Sequence, residues 1–121
     1  MKDTQMPTEL SIKVSHYNDA AIVSLNGRLT IESSPGLRDC LLTMLHSGSL
    51  HSLKVDLAGV PYMDASGIAT LIEALKTSRS HNVELRLSGL QDRVRYLLEV
   101  AGLLPLFQRS DSQSTVAAVT I

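Results

Sequence analysis

Three stretches of the chain alternate hydrophobic and polar residues, which is the period-two pattern of a half-exposed β-strand. They are LSIKVSH from residue 10, HSLKVDL from residue 51 and VELRLSG. A fourth stretch, AAIVSLNG from residue 20, is mostly apolar and follows an Asn18-Asp19 turn, so the first two strands are predicted to form an antiparallel hairpin. We expect Gly59 and Pro61 to end the strand over residues 51–57, and LPLFQ to form a short last strand.

Three other stretches repeat hydrophobic residues every three or four positions, which predicts helices with one buried face. The first has Ser34 as its candidate N-cap and Pro35 as its first helical residue. The second begins near Asp64, and the third runs over LQDRVRYLLEVAG. A fourth, weaker helix is predicted over residues 111–121, where β-branched residues lower the helix propensity.

The order of these elements predicts the fold class. After the hairpin, strands and helices alternate, which favours right-handed crossovers and largely parallel pairing. Because three strands alternate instead of being apolar throughout, one face of the sheet should be exposed. We therefore expect an α/β fold: a single domain over residues 10–121 with a mixed, mostly parallel sheet, an N-terminal antiparallel hairpin and about four helices mainly on one face. Residues 1–9 are predicted to be a flexible N-terminus.

Composition excludes several classes of function. The net charge is −1 and no dense run of Lys or Arg occurs, which argues against binding to nucleic acid. No apolar run approaches the roughly 20 residues of a transmembrane helix, and the first residues lack the apolar core of a signal peptide, so we expect a cytoplasmic protein without membrane insertion. One cysteine and four scattered histidines do not suggest a metal site, and no phosphate-binding glycine loop is present, so no cofactor is expected.

The stretch VPYMDASGIATLIEAL, residues 60–75, carries an acid, a hydroxyl and a glycine immediately before a helix. It follows the carboxyl end of a predicted strand, where α/β folds place their functional groups. Asp64 alone is sufficient as an N-cap, so the cap does not require Ser66. Ser66 is therefore either an ordinary residue of the first turn or a residue whose hydroxyl another molecule recognises. A hydrolase elbow needs glycine two residues before and after its serine, but Asp64 and Ile68 stand there. We therefore do not expect an enzyme.

Over roughly residues 10–109 the chain resembles the STAS domain family, in particular the bacterial anti-sigma factor antagonists. The resemblance is carried by VSLNGRLT, KVDLAGVPYMDASGIATLIEAL and VRYLLEVAGLLPLF. It implies that the chain binds an anti-sigma factor that is also a serine kinase, and thereby releases a sigma factor. Phosphorylation of Ser66 by that kinase would switch the binding off, and a phosphatase would act on the phosphorylated serine. ATP and its metal ion would belong to the kinase.

The resemblance also implies a partner-binding surface around Ser66. We expect it to comprise Thr30, Met63, Asp64, Ala65, Gly67 and Thr70. Thr30 stands where family members often have an acidic residue, which puts the affinity or identity of the partner in question. STAS domains also occur as non-catalytic subunits of lipid-transport ABC complexes and in anion transporters. A scaffold module of that kind, in which phosphorylation has no part, is the alternative interpretation.

Overall fold

The computed structural model describes residues 9–108, which form one mixed sheet and four helices. The order of elements is β1 (Leu10–Tyr17), β2 (Ala20–Leu29), α1 (Ser34–His46), β3 (Ser52–Met63), α2 (Ala65–Ser80), β4 (Glu84–Ser88), α3 (Asp92–Val100) and α4 (Leu104–Gln108). The strands lie in the order β1-β2-β3-β4; β1 and β2 are antiparallel, and the other two pairs are parallel. The predicted α/β class and the antiparallel hairpin are confirmed.

The helices cover one face of the sheet, and this face holds the core. Val23, Val55 and Leu87 form one row across three adjacent strands, and all three are buried. Their neighbours along the strands point the other way, and Lys54 and Arg86 on that side are exposed. The one-sided burial explains the alternating pattern of the sequence. Successive side chains of a strand point to opposite faces of the sheet, so the buried face takes apolar residues and the exposed face takes polar ones.

β3 is longer than the sequence predicts, and the expected break at Gly59 and Pro61 is wrong. Gly59 lies at a shift in the β2–β3 register, where a Cβ would approach the Leu25 carbonyl oxygen to 2.7 Å. β4 pairs only with residues 52–56 of β3. Beyond that point β3 has a paired strand on one side only, and proline is tolerated in such an edge position.

The expected last strand is also wrong, because LPLFQ forms the short helix α4. Leu104 and Phe107, three positions apart, are both buried, as suits one helical turn. Pro105 stands in that first turn, where a backbone N–H has no helical acceptor to lose. The helix predicted over residues 111–121 lies outside the described residues.

α1 begins one residue earlier than predicted, with Ser33 rather than Ser34 in the N-cap position. The Ser33 hydroxyl does not cap the helix; its oxygen accepts the N–H of Thr30 at 2.9 Å. Pro35 lies in the first turn, as expected. The start of α1 is therefore set by the preceding loop.

α1 and α2 lie side by side and are joined by a two-pronged ion pair. Arg38 Nε and Nη2 donate to the two carboxylate oxygens of Glu73, both at 2.7 Å. The hydrogen bond from Arg38 holds the pKa of Glu73 below its ordinary value, and the same bond raises the pKa of Arg38. Both side chains are nearly half exposed, so water screens the pair.

Candidate functional site

The carboxyl ends of β2 and β3 bring two loops together at one edge of the sheet. Leu29 and Met63, the last residues of these strands, are register partners. The Asp64 N–H donates to the Leu29 carbonyl oxygen at 3.0 Å, and α2 begins at the next residue. The loop between β2 and α1 therefore lies beside the start of α2.

Asp64 joins these two loops through its carboxylate. Oδ1 accepts the N–H of Ser66 at 2.8 Å and that of Gly67 at 3.4 Å, which makes Asp64 the N-cap of α2. Oδ2 accepts the N–H of Ile31 at 3.1 Å. Only a carboxylate offers two acceptor oxygens of this kind, whereas a serine hydroxyl offers one. The N-cap role considered from the sequence is confirmed, and the link to Ile31 is an additional one.

Ser66 lies in the first turn of α2 and is partly exposed. Its backbone N–H is held by Asp64, while its hydroxyl forms no hydrogen bond with any of residues 9–108. The hydroxyl also lies near the positive end of the helix dipole, where a negative charge is favoured. The position is therefore accessible to another molecule and suited to an anionic group.

Gly67 allows α2 to approach the ends of β2 and β3 closely. A Cβ at this position would lie 2.6 Å from Met63 Cγ and 2.8 Å from Leu29 Cγ. Met63 and Leu29 are both buried, so neither can move into solvent without loss of core packing. The glycine after Ser66 therefore fixes the height of the serine above the sheet.

The residues expected at the partner-binding surface divide into two layers. Ala65 is exposed and Asp64 is partly exposed. Thr30, Met63, Gly67 and Thr70 are buried, with exposed fractions of 8%, 3% and 6% for Thr30, Met63 and Thr70. The structure therefore places these four residues under the surface, where they support it.

Thr30 organises the loop that follows β2. Its hydroxyl donates to Glu9 Oε1 at 2.7 Å and accepts the N–H of Glu32 at 3.2 Å. A carboxylate from Glu9 thus lies beside the position where an acidic residue is common in the family that this chain resembles. Glu9 also lies 3.8 Å from Arg28 Nε, which offsets its charge.

Ile31 is a residue of this edge that the sequence reasoning missed. Its side chain is 68% exposed, although it is large and apolar. The one sequence signal was an isolated isoleucine within the polar run TIESSPG. We define the Ser66 surface as Ile31, Asp64, Ala65, Ser66 and Ile68, which is partly buried one turn along α2.

Other chemistry is not visible in the described part of the chain. Among residues 9–108, no three His, Cys, Asp or Glu side chains are placed to hold a metal ion. Burial raises the pKa of the Cys40 thiol, which disfavours the reactive thiolate. In the same range, no helix combines the length and the apolar character that crossing a membrane requires.

Comparison with known proteins identifies the family. The model of the STAS domain matches residues 11–118. The chain belongs to the STAS domain family. The anti-sigma-B factor antagonist of Staphylococcus epidermidis is 30% identical to this STAS domain over 97 residues, which are 80% of this chain and 89% of the relative.

Solved structures share the fold of this STAS domain. The anti-sigma factor antagonist from Mycobacterium paratuberculosis superposes with a TM-score of 0.71 at 16% identity, over 86% of this chain and 87% of that one. The Bacillus cell fate determinant SpoIIAA in its phosphorylated form gives a TM-score of 0.67 at 16% identity, over 78% and 86% of the two chains. At this identity the likeness concerns the fold alone.

Proposed function

We propose that this STAS domain is a non-catalytic anti-sigma factor antagonist that acts in the cytoplasm. Its unphosphorylated form binds an anti-sigma factor through the Ser66 surface, and the sigma factor is thereby released. The relative from Staphylococcus epidermidis, which is 30% identical, supports this role. The observation that carries the proposal is the Ser66 hydroxyl, which is partly exposed and forms no hydrogen bond with the described residues at the start of a capped helix.

Phosphorylation of Ser66 would oppose this binding by its charge. The anti-sigma factor, acting as a serine kinase, transfers a phosphoryl group from ATP to the hydroxyl, and a phosphatase removes it. A phosphate adds about 1.5 to 2 negative charges at neutral pH. It would be attached to the residue whose backbone N–H the Asp64 carboxylate accepts, so its burial against a partner costs desolvation and repulsion.

The magnitude is sufficient for a switch without refolding. A loss of about 2–3 kcal/mol of binding free energy weakens a complex by roughly 30- to 150-fold. In the free protein, the N-terminus of α2 favours the phosphate, so the phosphorylated form is expected to remain folded. The kinase holds ATP and its metal ion, and this chain needs no cofactor of its own.

The test is a calorimetric titration of the purified anti-sigma factor from the source cell against wild type, Ser66→Ala and Ser66→Asp. Ser66→Asp should bind at least about 30-fold more weakly, while Ser66→Ala should bind like wild type. Thr43→Asp, at an exposed position of α1, is the charge control and should leave the affinity unchanged. In kinase reactions, wild type should gain about 80 Da and Ser66→Ala should gain nothing.

Three results would overturn the proposal. The first is equal affinity of wild type and Ser66→Asp for the anti-sigma factor. The second is phosphate on another residue of Ser66→Ala. The third is stable co-purification with a membrane ATPase that is insensitive to Ser66→Asp, which would support the scaffold interpretation instead.

A further inference from the structure

The loop between β2 and α1, residues 30–33, has a fixed conformation. All four of its backbone N–H groups donate within the chain: Thr30 to Ser33 Oγ, Ile31 to Asp64 Oδ2, Glu32 to Thr30 Oγ1, and Ser33 to the Thr30 carbonyl oxygen, at 2.9–3.2 Å. A surface loop in which every donor is satisfied loses little conformational entropy when it binds a partner. It is therefore suited to present a side chain.

The side chain that this loop presents is Ile31. It is 68% exposed and lies next to the buried Thr30. Isoleucine is stiff at χ1, so little rotamer freedom remains to be lost on binding. Its backbone N–H bonds the same carboxylate that caps the helix of Ser66, so the two residues belong to one rigid unit. An apolar side chain held out in this way does not contribute to the core.

The charges nearest to Ile31 are largely compensated inside the chain. The carboxylate of Asp64 accepts three backbone N–H groups, and that of Glu9 accepts the Thr30 hydroxyl beside Arg28. Glu32 is exposed and remains at the rim. A complementary surface therefore needs an apolar cavity for Ile31 rather than a cation for these carboxylates.

We propose that Ile31 is the apolar anchor of the Ser66 surface and that it enters an uncharged, apolar pocket of the anti-sigma factor. This inference rests on the proposed function and adds to it the contact that supplies affinity. Ser66 then controls whether the surface can be buried, while Ile31 determines how tightly it binds. Removing a central apolar anchor typically weakens binding by about tenfold or more.

The experiment compares Ile31→Ala with the control Val100→Ala. Val100 is also β-branched, lies on α3 and is 67% exposed. Each is titrated calorimetrically against the purified anti-sigma factor of the source cell, together with Glu32→Gln. Ile31→Ala should weaken binding by about tenfold or more, and the other two should stay within about twofold. Melting temperatures of all three should match wild type within about 2 °C, because these side chains are exposed.

A methyl NMR spectrum of the saturated complex gives a second measurement. The Ile31 methyl signals should shift on binding, and those of Val100 should not. If Ser66→Asp weakens binding but Ile31→Ala does not, Ile31 is not the anchor and the proposed function stands. The same conclusion follows if the Ile31 methyl signals do not shift on binding. If Glu32→Gln loses as much affinity as Ile31→Ala, the contact is electrostatic and the anchor is wrong. If wild type itself does not bind, both proposals fail.

Discussion

Replacement of Asp64 tests whether one carboxylate fastens two loops. Asp64→Ala removes the cap of α2 and also the acceptor for the Ile31 N–H. Asp64→Asn keeps an amide oxygen for the N–H groups of Ser66 and Gly67, and asparagine is as good an N-cap as aspartate. Its NH₂ group, however, then faces the Ile31 N–H, and two donors cannot bond. The two variants therefore separate the cap from the link between the loops.

The expected losses of unfolding free energy differ accordingly. Loss of an N-cap costs about 0.5–2 kcal/mol. The exposed bond to Ile31 contributes about 0.5–1 kcal/mol more. Asp64→Ala should thus cost about 2 kcal/mol and Asp64→Asn about 0.5–1 kcal/mol. For a domain of this size, about 1 kcal/mol shifts the melting temperature by about 4 °C, so we expect decreases of about 8 °C and 3 °C.

Urea unfolding followed by circular dichroism measures both losses, with the m-value as the check that the unfolded states are comparable. Salt at about 0.5 M screens the interaction of the Asp64 charge with the helix dipole, so that the hydrogen bonds dominate the comparison. If Asp64→Asn costs as much as Asp64→Ala, the assignment of two roles to the carboxylate is wrong. If Asp64→Ala lowers the free energy of unfolding by less than about 0.5 kcal/mol, the assignment of Asp64 as the stabilising N-cap of α2 is wrong.

Two further changes test the packing and the electrostatics of α2. Gly67→Ala should cost about 1–3 kcal/mol in urea unfolding, because its Cβ would overlap Met63 and Leu29; an unchanged midpoint would contradict the close approach described above. Glu73→Gln should lower the melting temperature at about pH 7. The pKa of Glu73 is depressed in the folded state by Arg38, so the ion pair stabilises above the ordinary carboxyl range and its contribution disappears as the pH falls through the folded pKa. The difference between wild type and Glu73→Gln should therefore shrink as the pH is lowered below the ordinary carboxyl range, and a difference that does not change with pH would refute the ion-pair explanation.

The fold was predictable from the sequence wherever burial is one-sided. Hydrophobic residues repeat at the helical spacing in α1, α2 and α3 and at every second position in the alternating strands. Each of these patterns identifies both the type of element and the face that it buries. The extent of β3 was not predictable, because Gly59 and Pro61 are tolerated only through the register with β2 and the shortness of β4. These are non-local facts. LPLFQ is too short to show a period, so α4 could not be distinguished from a strand.

The candidate site was predictable in part. Asp64, Ala65 and Ser66 follow from the motif, and the structure leaves all three at least partly exposed. Thr70 was expected at the surface from the family resemblance, although its spacing of three from the buried Gly67 puts it on the inner side of the helix. For Ile31 the sequence offers only an isolated isoleucine within a polar run, because its exposure depends on a turn held by a distant carboxylate.

The shortness of β4 has a mechanical consequence for the edge that carries Ser66. From residue 57 onward, β3 pairs with β2 but no longer with β4, and on this open side the Gln91 amide donates to the Ala58 carbonyl oxygen at 2.7 Å. Backbone amides that lack a strand partner open to water at a lower free energy than those inside a ladder. Amide hydrogens on the open side of β3 should therefore exchange faster than those of residues 52–56, while the buried side chains of Leu57, Val60 and Met63 keep the strand in place beneath Ser66.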